Sequence, residues 1–263
     1  MKKMKWVNTL AFAAMIIVNA LANIIPIGGN TTAQVSEKYQ NLFTPAPITF
    51  AIWGLIYAMM ALFVLYQWGI LDHGIYSENV REDVGIWFTV SCVLNIAWVF
   101  LWHFGLIAMS VVVIVLLMCS LMMVITRLDG AGDKFLQKFV TRTGFSVYFG
   151  WIIAATIANI SVLLTKVGWG GWGLSAAFWT SAVLLIGAAI AVCVVIFGKN
   201  RVAGIAVMWA YAGILIRHIS PSYLNGAYPV VIAMAFIGEA AILTSILLPR
   251  FCKAKKYDEL PEE

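Results

Sequence analysis

Charged side chains are scarce in this 263-residue chain. Only 11% of the residues are Asp, Glu, Lys or Arg, whereas 62% are hydrophobic, and the mean hydropathy is +0.92. Soluble domains carry roughly 25% charged side chains, and no soluble fold of this length can hide so much apolar surface. The scarcity of charge therefore excludes a soluble globular protein and favours an integral membrane protein.

Cysteine and histidine are also few. The four cysteines and three histidines are Cys92, Cys119, Cys193, Cys252, His73, His103 and His218. The cysteines lack paired spacing, so neither a disulfide framework nor a zinc site is predicted, and they are expected to be small buried hydrophobes. The histidines fall at separate predicted helix ends. Without a metal cluster, a Ser/His/Asp set or a phosphate-cradling loop, a membrane enzyme has no support in the sequence, and no cofactor or metal is predicted.

Long apolar runs are present instead, each about 20 residues between short polar segments. This is the length that an α-helix needs to cross roughly 30 Å of hydrocarbon. The predicted spans are residues 6–27, 47–70, 84–103, 105–126, 144–165, 175–197, 202–216 and 228–248. The first run also resembles a signal peptide, but it is long enough to span. We predict an all-α integral membrane protein with eight transmembrane helices.

The basic residues fall mostly on one side of this arrangement. Of the 17 lysines and arginines, only Lys38, Lys166 and Arg217 lie on the other side. Because basic loops stay in the cytoplasm, both ends are predicted to be cytoplasmic, in the cell membrane. The net charge of +5 is thus a topology signal, and nucleic acid is not an expected partner. The basic cluster in residues 250–256 is expected to face anionic membrane lipids.

Two connections are longer than the others, namely the outer loop 28–46 and the inner loop 127–143. The outer loop ends in Thr44-Pro45-Ala46-Pro47, which favours the start of the second span. It is long enough to fold back over the bundle. The inner loop is interpreted as a solvated linker with topogenic charge.

Polar and aromatic side chains from several spans fall at a similar depth. Counting about 1.5 Å per residue places a group of them roughly 8–15 Å below the outer surface. This group consists of Asn19, Trp53, Tyr57, Asn95, Trp98 and Asn159. Amides in hydrocarbon need partners, so the asparagines should face the bundle interior. They could line one cavity, or they could pair between helices without a cavity.

Tryptophans inside spans are further candidates for an internal site, because an indole N–H in hydrocarbon needs an acceptor. These are Trp53, Trp98, Trp151, Trp179 and Trp209. On the fifth span, Gly150, Ala154 and Ala158 form a line of small residues on which a helix can pack. The adjacent line could face a ligand, and it consists of Trp151, Ala155 and Asn159.

Glu239 is the only acidic residue deep in a predicted span. An intramembrane carboxyl is a functional hypothesis by default. Glu239 is either a proton or cation site or a protonated side chain that hydrogen-bonds to a neighbouring helix. Arg217, near the outer end of the seventh span, is expected to be too shallow to pair with it.

Three motifs follow one another along the second, third and fifth spans. They are Pro45 and Pro47 with Phe50, Trp53 and Tyr57; Asn95-Ile96-Ala97-Trp98; and Tyr148, Trp151, Ala155 and Asn159. In type, order and placement they resemble the TspO/MBR family of tryptophan-rich sensory and translocator proteins. The resemblance covers roughly residues 6–165. The chain departs from the family pattern in its split proline pair and in lacking the prolines usual beside the third- and fifth-helix motifs.

The resemblance implies a five-helix bundle with a capped pocket for a planar hydrophobic ligand, such as a porphyrin, a haem precursor or a sterol-like lipid. Aromatic faces can stack on a flat ring and amides can address its polar edge. The predicted ligand-binding residues are Asn19, Pro45, Pro47, Trp53, Tyr57, Asn95, Trp98, Tyr148, Trp151, Ala155 and Asn159. A porphyrin or haem would be a ligand for sensing or transport. Because relatives often pair, a homodimer is also considered.

The last three predicted spans exceed the five helices of that family. We predict a TspO-like ligand-binding bundle in residues 1–167 and a three-helix membrane extension with a basic cytoplasmic tail in residues 168–263. The alternative function is an ion-coupled secondary transporter that uses Glu239, although no inverted repeat is detectable.

Overall fold

The fold is built from helices. The computed structural model of the chain describes residues 2–71, 78–128 and 139–248. The α-helices are α1 (Lys2–Ile24), α2 (Thr32–Lys38), α3 (Ile52–Gln67), α4 (Glu78–His103), α5 (Ile107–Leu128), α6 (Gly144–Lys166), α7 (Ala176–Ile196), α8 (Arg201–Ile219) and α9 (Pro229–Leu247). Shorter 3-10 segments occupy Ile27–Gly29, Pro47–Ala51 and Gly171–Gly173, and a π-helical turn at Phe139–Thr143 precedes α6. No strand occurs in these ranges.

Among the described residues, eight helical stretches are long and apolar enough to cross a membrane. They are Lys3–Ile24, Pro47–Gln67, Val84–His103, Ile107–Leu128, Phe139–Lys166, Ala176–Ile196, Arg201–Ile219 and Pro229–Leu247. The prediction of an all-α, eight-span membrane protein is confirmed. The ends differ from the predicted ones by a few residues, because a helix also includes polar residues at its caps. The fifth stretch, which begins at Phe139 rather than at residue 144, shows the largest difference.

An even number of crossings places the start of α1 and the end of α9 on one side of the membrane. We call the opposite side, which carries residues 28–46, the outer side. That the other side is cytoplasmic stays a prediction. Most of the predicted inner loop (129–138) and the basic tail (249–263, with the 250–256 cluster and Cys252) lie outside the described residues.

Local sequence signals determine where several helices begin. Pro47 opens the 3-10 segment that runs into α3, a position where its missing N–H costs nothing. The hydroxyl of Ser175 accepts a hydrogen bond from Phe178 N (3.1 Å) at the start of α7. Asn200 caps α8 in the same way. Such caps satisfy backbone donors that have no partner within the helix.

Helix α6 lies at the centre of the bundle. It packs against α3 and α5 on one side and against α8 on the other, while α7 and α9 pack on each other and on α8. Gly150 of α6 makes the contact with α8 close, because a Cβ at this position would collide with the backbone of Ala203. The sequence predicts a helix-packing role for Gly150. In the structure Gly150 lies in the contact between α6 and α8, by which α7–α9 pack on the preceding helices.

Candidate functional site

The outer loop folds over the end of the bundle and contains the short helix α2. A capping box starts this helix: Thr31 Oγ1 accepts from Gln34 N (3.2 Å), and the Gln34 side chain accepts from Thr31 N (2.8 Å). From below, the indole of Trp102 on α4 donates to Thr32 O at 3.2 Å. The loop is therefore an ordered cover, held in part by an aromatic side chain of the bundle.

Helix α8 holds the same cover from the other side. The guanidinium of Arg217, only 6% exposed, donates to both carboxylate oxygens of Glu37 on α2, at 2.5 and 3.2 Å. Next to it, His218 Nε2 lies 2.8 Å from Leu42 O. The expectation that Arg217 does not pair with Glu239 agrees with this geometry, in which Arg217 pairs with the outer loop.

The start of the second span is also attached to α8. Ala46 N donates to Gly213 O at 3.0 Å, and Trp209 Nε1 donates to Thr49 O at 2.8 Å. Gly213 allows this approach, since a Cβ there would overlap the Thr49 side chain. Helix α8 is consequently fixed against both the cover and the beginning of α3.

A cavity lies beneath the cover, between α3, α4, α6 and α8. It encloses about 500 Å³ of empty space, including the part that opens to the outside. Its lining consists of Ser36, Phe43, Pro45, Phe50, Trp53, Trp98, Trp102, Trp151, Ala154, Ala155, Ala158, Asn159, Ala210 and Ile214. None of these side chains is charged. The mainly apolar lining with a few polar groups is typical of a site for a small organic molecule.

Aromatic rings form one wall of the cavity. Trp53 stacks on Trp98 (ring centroids 6.1 Å apart), and Trp98 stacks on Trp102 at 5.6 Å. The ring of Trp151 meets Trp53 edge-on at 6.1 Å. The lining also includes the alanines Ala154, Ala155 and Ala158 of α6 and Ala210 of α8. The cavity is thus lined by large flat rings together with small residues.

Two buried indole groups in this wall lack a hydrogen-bond acceptor. Within the described part of the chain, neither Trp98 Nε1 nor Trp151 Nε1 has a partner. By contrast, the indole of Trp102 is satisfied by Thr32 O. An unpaired buried N–H costs roughly 1–3 kcal/mol, and an acceptor on a bound molecule or water would offset that cost.

The amide of Asn159 adds one more polar atom at the cavity. Its Oδ1 lies 3.0 Å from Ser110 Oγ, and its Nδ2 has no partner among the described residues. The Ser110 hydroxyl has a single proton and also lies 2.8 Å from Ile107 O. The amide can therefore present either its nitrogen or its oxygen to the cavity, whereas the two indoles are donors in every case.

The other predicted amides pair with each other. Asn19 Nδ2 donates to Asn95 Oδ1 at 2.7 Å, and Asn95 Nδ2 donates to the hydroxyl of Tyr148 at 2.8 Å. This chain connects α1, α4 and α6. Both arrangements considered from the sequence are therefore present: pairing between helices for Asn19 and Asn95, and a cavity for Asn159.

The predicted ligand-binding residues thus divide into two groups. Those that line the cavity are Pro45, Trp53, Trp98, Trp151, Ala155 and Asn159. Those that do not are Asn19, Pro47, Tyr57, Asn95 and Tyr148; Tyr57 and Tyr148 lie directly behind Trp53, with ring centroids 5.6 and 5.8 Å from it. Tyr57 and Tyr148 thus contact a ring of the wall without lining the cavity themselves. Whether any of them binds a ligand stays a prediction.

Several lining residues were not among the predicted ones. Trp102 follows Trp98 by one helical turn, and this spacing is a signal that would have found it. Ala154 and Ala158 were assigned to packing only, but both line the cavity. Ala210 and Ile214 come from α8, and no motif marks them, since only the packing of α8 on α6 brings them to the site.

Other predicted candidates lie elsewhere. Trp179 donates to Gly171 O at 2.8 Å and packs against Trp169 and Trp172 in an outer aromatic cluster. Trp209 is 43% exposed. Glu239 is half-buried on α9 and is not part of the cavity lining. The cavity also takes its walls from both predicted domains, 1–167 and 168–263, and that division stays a prediction.

Comparisons with known proteins agree with the motifs and extend them. The sequence profile of a family described as TSPO-like protein matches residues 5–248. No curated protein and no solved structure matches the chain. The matched range includes α7–α9 as well as the helices that carry the three motifs. Since eight helices in the described ranges are long and apolar enough to cross a membrane, the chain is a multi-pass membrane protein, and it belongs to the TSPO-like family.

Proposed function

We propose that this protein binds a planar hydrophobic small molecule in the cavity beneath the outer cover, in order to sense or transport it. Tetrapyrroles, including porphyrins and haem precursors, and sterol-like lipids are the ligand classes that the family resemblance implies. The bound molecule would lie between the tryptophans of α3, α4 and α6 and the alanines of α6 and α8.

One observation carries the proposal: two buried indole N–H groups without an acceptor belong to the wall of an uncharged, aromatic-lined cavity. Without a bound acceptor, both indole groups keep the cost of a buried, unpaired donor. A ligand that supplies an acceptor removes this cost. Flat aromatic faces on the same wall favour a flat ligand, because ring stacking is most favourable between planar surfaces.

The alternative of an ion-coupled transporter would rest on Glu239. This residue is outside the cavity lining. Ligand binding in the cavity therefore does not depend on Glu239, and binding is the function that the geometry favours.

The first test is a titration of the purified protein with protoporphyrin while tryptophan fluorescence is recorded. We expect the quenching to saturate in the wild type with a dissociation constant in the micromolar range. This corresponds to a binding free energy on the order of −8 kcal/mol. Trp53→Phe and Trp151→Phe should weaken binding about 10-fold or more, since each removes ring area from the wall.

Trp172→Phe is the matched control, because Trp172 is 80% exposed in the outer aromatic cluster. Its affinity should equal that of the wild type. Quenching that never saturates with any tetrapyrrole or sterol, or equal weakening in all three variants, would contradict the proposal.

A further inference from the structure

We propose that the part of the ligand that enters the cavity is uncharged and carries a hydrogen-bond acceptor, such as a ketone, ester or ether oxygen or an unprotonated ring nitrogen. This inference rests on the proposed binding function and specifies the chemistry that the site selects. Two features of the cavity support it independently, namely its unpaired donors and its lack of charge.

The donors define what the ligand must offer. Trp98 Nε1 and Trp151 Nε1 are buried and have no acceptor in the described residues. An indole nitrogen can only donate, so a hydrocarbon in this cavity leaves both N–H groups unpaired. A ligand with an acceptor oxygen between α4 and α6 satisfies one or both of them. Sites of this kind reject analogues that lack the hydrogen-bonding group, because the buried partner then stays unpaired.

The absence of charge defines what the ligand must not carry. No lysine, arginine or histidine belongs to the lining, and a carboxylate that enters would lose its hydration without gaining a counter-ion. A positively charged side chain, Arg217, lies one helical turn beyond the lining residue Ile214. Its guanidinium is occupied by both oxygens of Glu37. The ion pair therefore neutralises the charge that an anionic ligand would need.

For a tetrapyrrole, this means that the ring can enter only with its carboxylates left outside or esterified. For other lipophiles, a neutral polar end is expected to point inward. The ligand would thus be recognised by an interior acceptor as well as by its flat apolar body.

Three tricyclic probes of nearly equal shape test the inference: fluorene, which has no acceptor; fluorenone, which adds a ketone; and a fluorenone carboxylate, which adds a charge. Binding is measured by calorimetry on the full-length protein in lipid nanodiscs, and empty nanodiscs correct for partitioning into lipid. We expect fluorenone to bind about 10-fold or more tightly than fluorene. The carboxylate should bind at least about 10-fold more weakly than fluorenone.

The ratio of the fluorenone affinity to the fluorene affinity distinguishes two effects of a substitution. Lost ring area weakens both probes and leaves the ratio unchanged, whereas a lost hydrogen bond weakens only fluorenone and lowers the ratio. Trp98→Phe and Trp151→Phe each remove a free N–H, so each should lower the ratio, and the double variant should bring it close to one. Trp102→Phe is the matched control. It removes similar ring area from the same wall, but its N–H is already bonded to Thr32 O, so the ratio should stay at the wild-type value.

The outcomes are distinct. Equal affinity for fluorene and fluorenone, or an equal fall of the ratio in all three variants, overturns the acceptor requirement while the binding function stands. A carboxylate that binds more tightly than fluorenone, with Arg217 as its counter-ion, overturns the requirement for an uncharged ligand. If none of the probes binds beyond the lipid background, this inference fails, whereas the binding function is decided by the protoporphyrin titration.

Discussion

Asn95 makes two hydrogen bonds in the middle of an apolar bundle. It is fully buried, accepts from Asn19 and donates to Tyr148, and it thereby joins three helices. In hydrocarbon no water can replace either partner. The amide therefore contributes to the position of Tyr148, which in turn supports the ring of Trp53 from behind.

Substitution of Asn95 by Ala should destabilise the protein by about 1–3 kcal/mol, because it leaves one donor and one acceptor unpaired. The measurement is reversible unfolding in mixed micelles. Asn23→Ala is the control, since the Asn23 side chain is exposed and bonds only to Asn19 O within its own helix. It should cost less than about 0.5 kcal/mol. Equal losses in the two variants would contradict the proposed importance of the three-helix chain.

Single side chains of the cavity wall show the limits of sequence reasoning. Trp53, Trp98 and Trp151 lie together in the cavity lining, in an internal environment that suits amphipathic rings within apolar spans. Trp179 has the same sequence character, but it lies close enough to the helix start to donate to Gly171 O in the outer turn. A shift of one or two helical turns thus determines whether a tryptophan lies in the interior wall or in the interfacial cluster. The ends of spans predicted from hydropathy are not precise enough to distinguish these two positions.

Helix α2 is held over the cavity by few contacts. It has only seven residues, too short to be stable by itself. Its position depends on the burial of Thr32, Val35 and Ser36, on the Trp102 bond to Thr32 O and on the Arg217–Glu37 ion pair. Because Arg217 is almost fully buried, loss of Glu37 leaves a cation without a counter-charge.

Glu37→Gln should therefore loosen α2 while the transmembrane helices stay intact. We expect amide hydrogen exchange in residues 32–38 to become about 10-fold faster, equivalent to roughly 1.4 kcal/mol, a modest value because Glu37 is partly solvated. Lys38→Gln changes a charge on the same helix without touching the ion pair, and it should leave exchange unchanged. Faster exchange throughout the bundle would argue instead for a general loss of stability.

The contact of α8 with α6 is the main helix–helix contact between the last three helices and the preceding ones. Helix α8 packs on α6 by way of Gly150 and also provides Ala210 and Ile214 to the cavity. The family match over residues 5–248 likewise includes α7–α9. In this protein α8 is therefore part of the wall of the candidate site, and α7 and α9 pack on α8.

The orientation of the whole bundle can be tested by cysteine labelling. In a variant without native cysteines, Ser222→Cys should react with a membrane-impermeant maleimide added to intact cells, because Ser222 is exposed in the outer turn between α8 and α9. Lys199→Cys, in the turn between α7 and α8, should react only after the cells are opened. The reverse pattern would show that the excess of basic residues does not determine the orientation here.

Much of the architecture follows from local properties of the chain. The number of spans, the all-helical class and the approximate helix ends depend on hydropathy over about 20 residues and on caps such as Ser175 and Asn200. The family motifs are similarly local, since each stands within one or two turns of a single helix. Neighbouring residues alone are sufficient to specify features of this kind.

The site depends on contacts between distant parts of the chain. Asn95 and Asn159 are both amides at similar depth, but one is paired by Asn19 and Tyr148 whereas the other faces the cavity. Rotation and close approach of the helices decide this difference, together with the glycines at 150 and 213 that bring α8 against its neighbours. Hydropathy specifies how deep a side chain lies, but only packing specifies which neighbour it meets. For that reason Ala210, Ile214 and the Arg217–Glu37 pair became visible only in the folded protein.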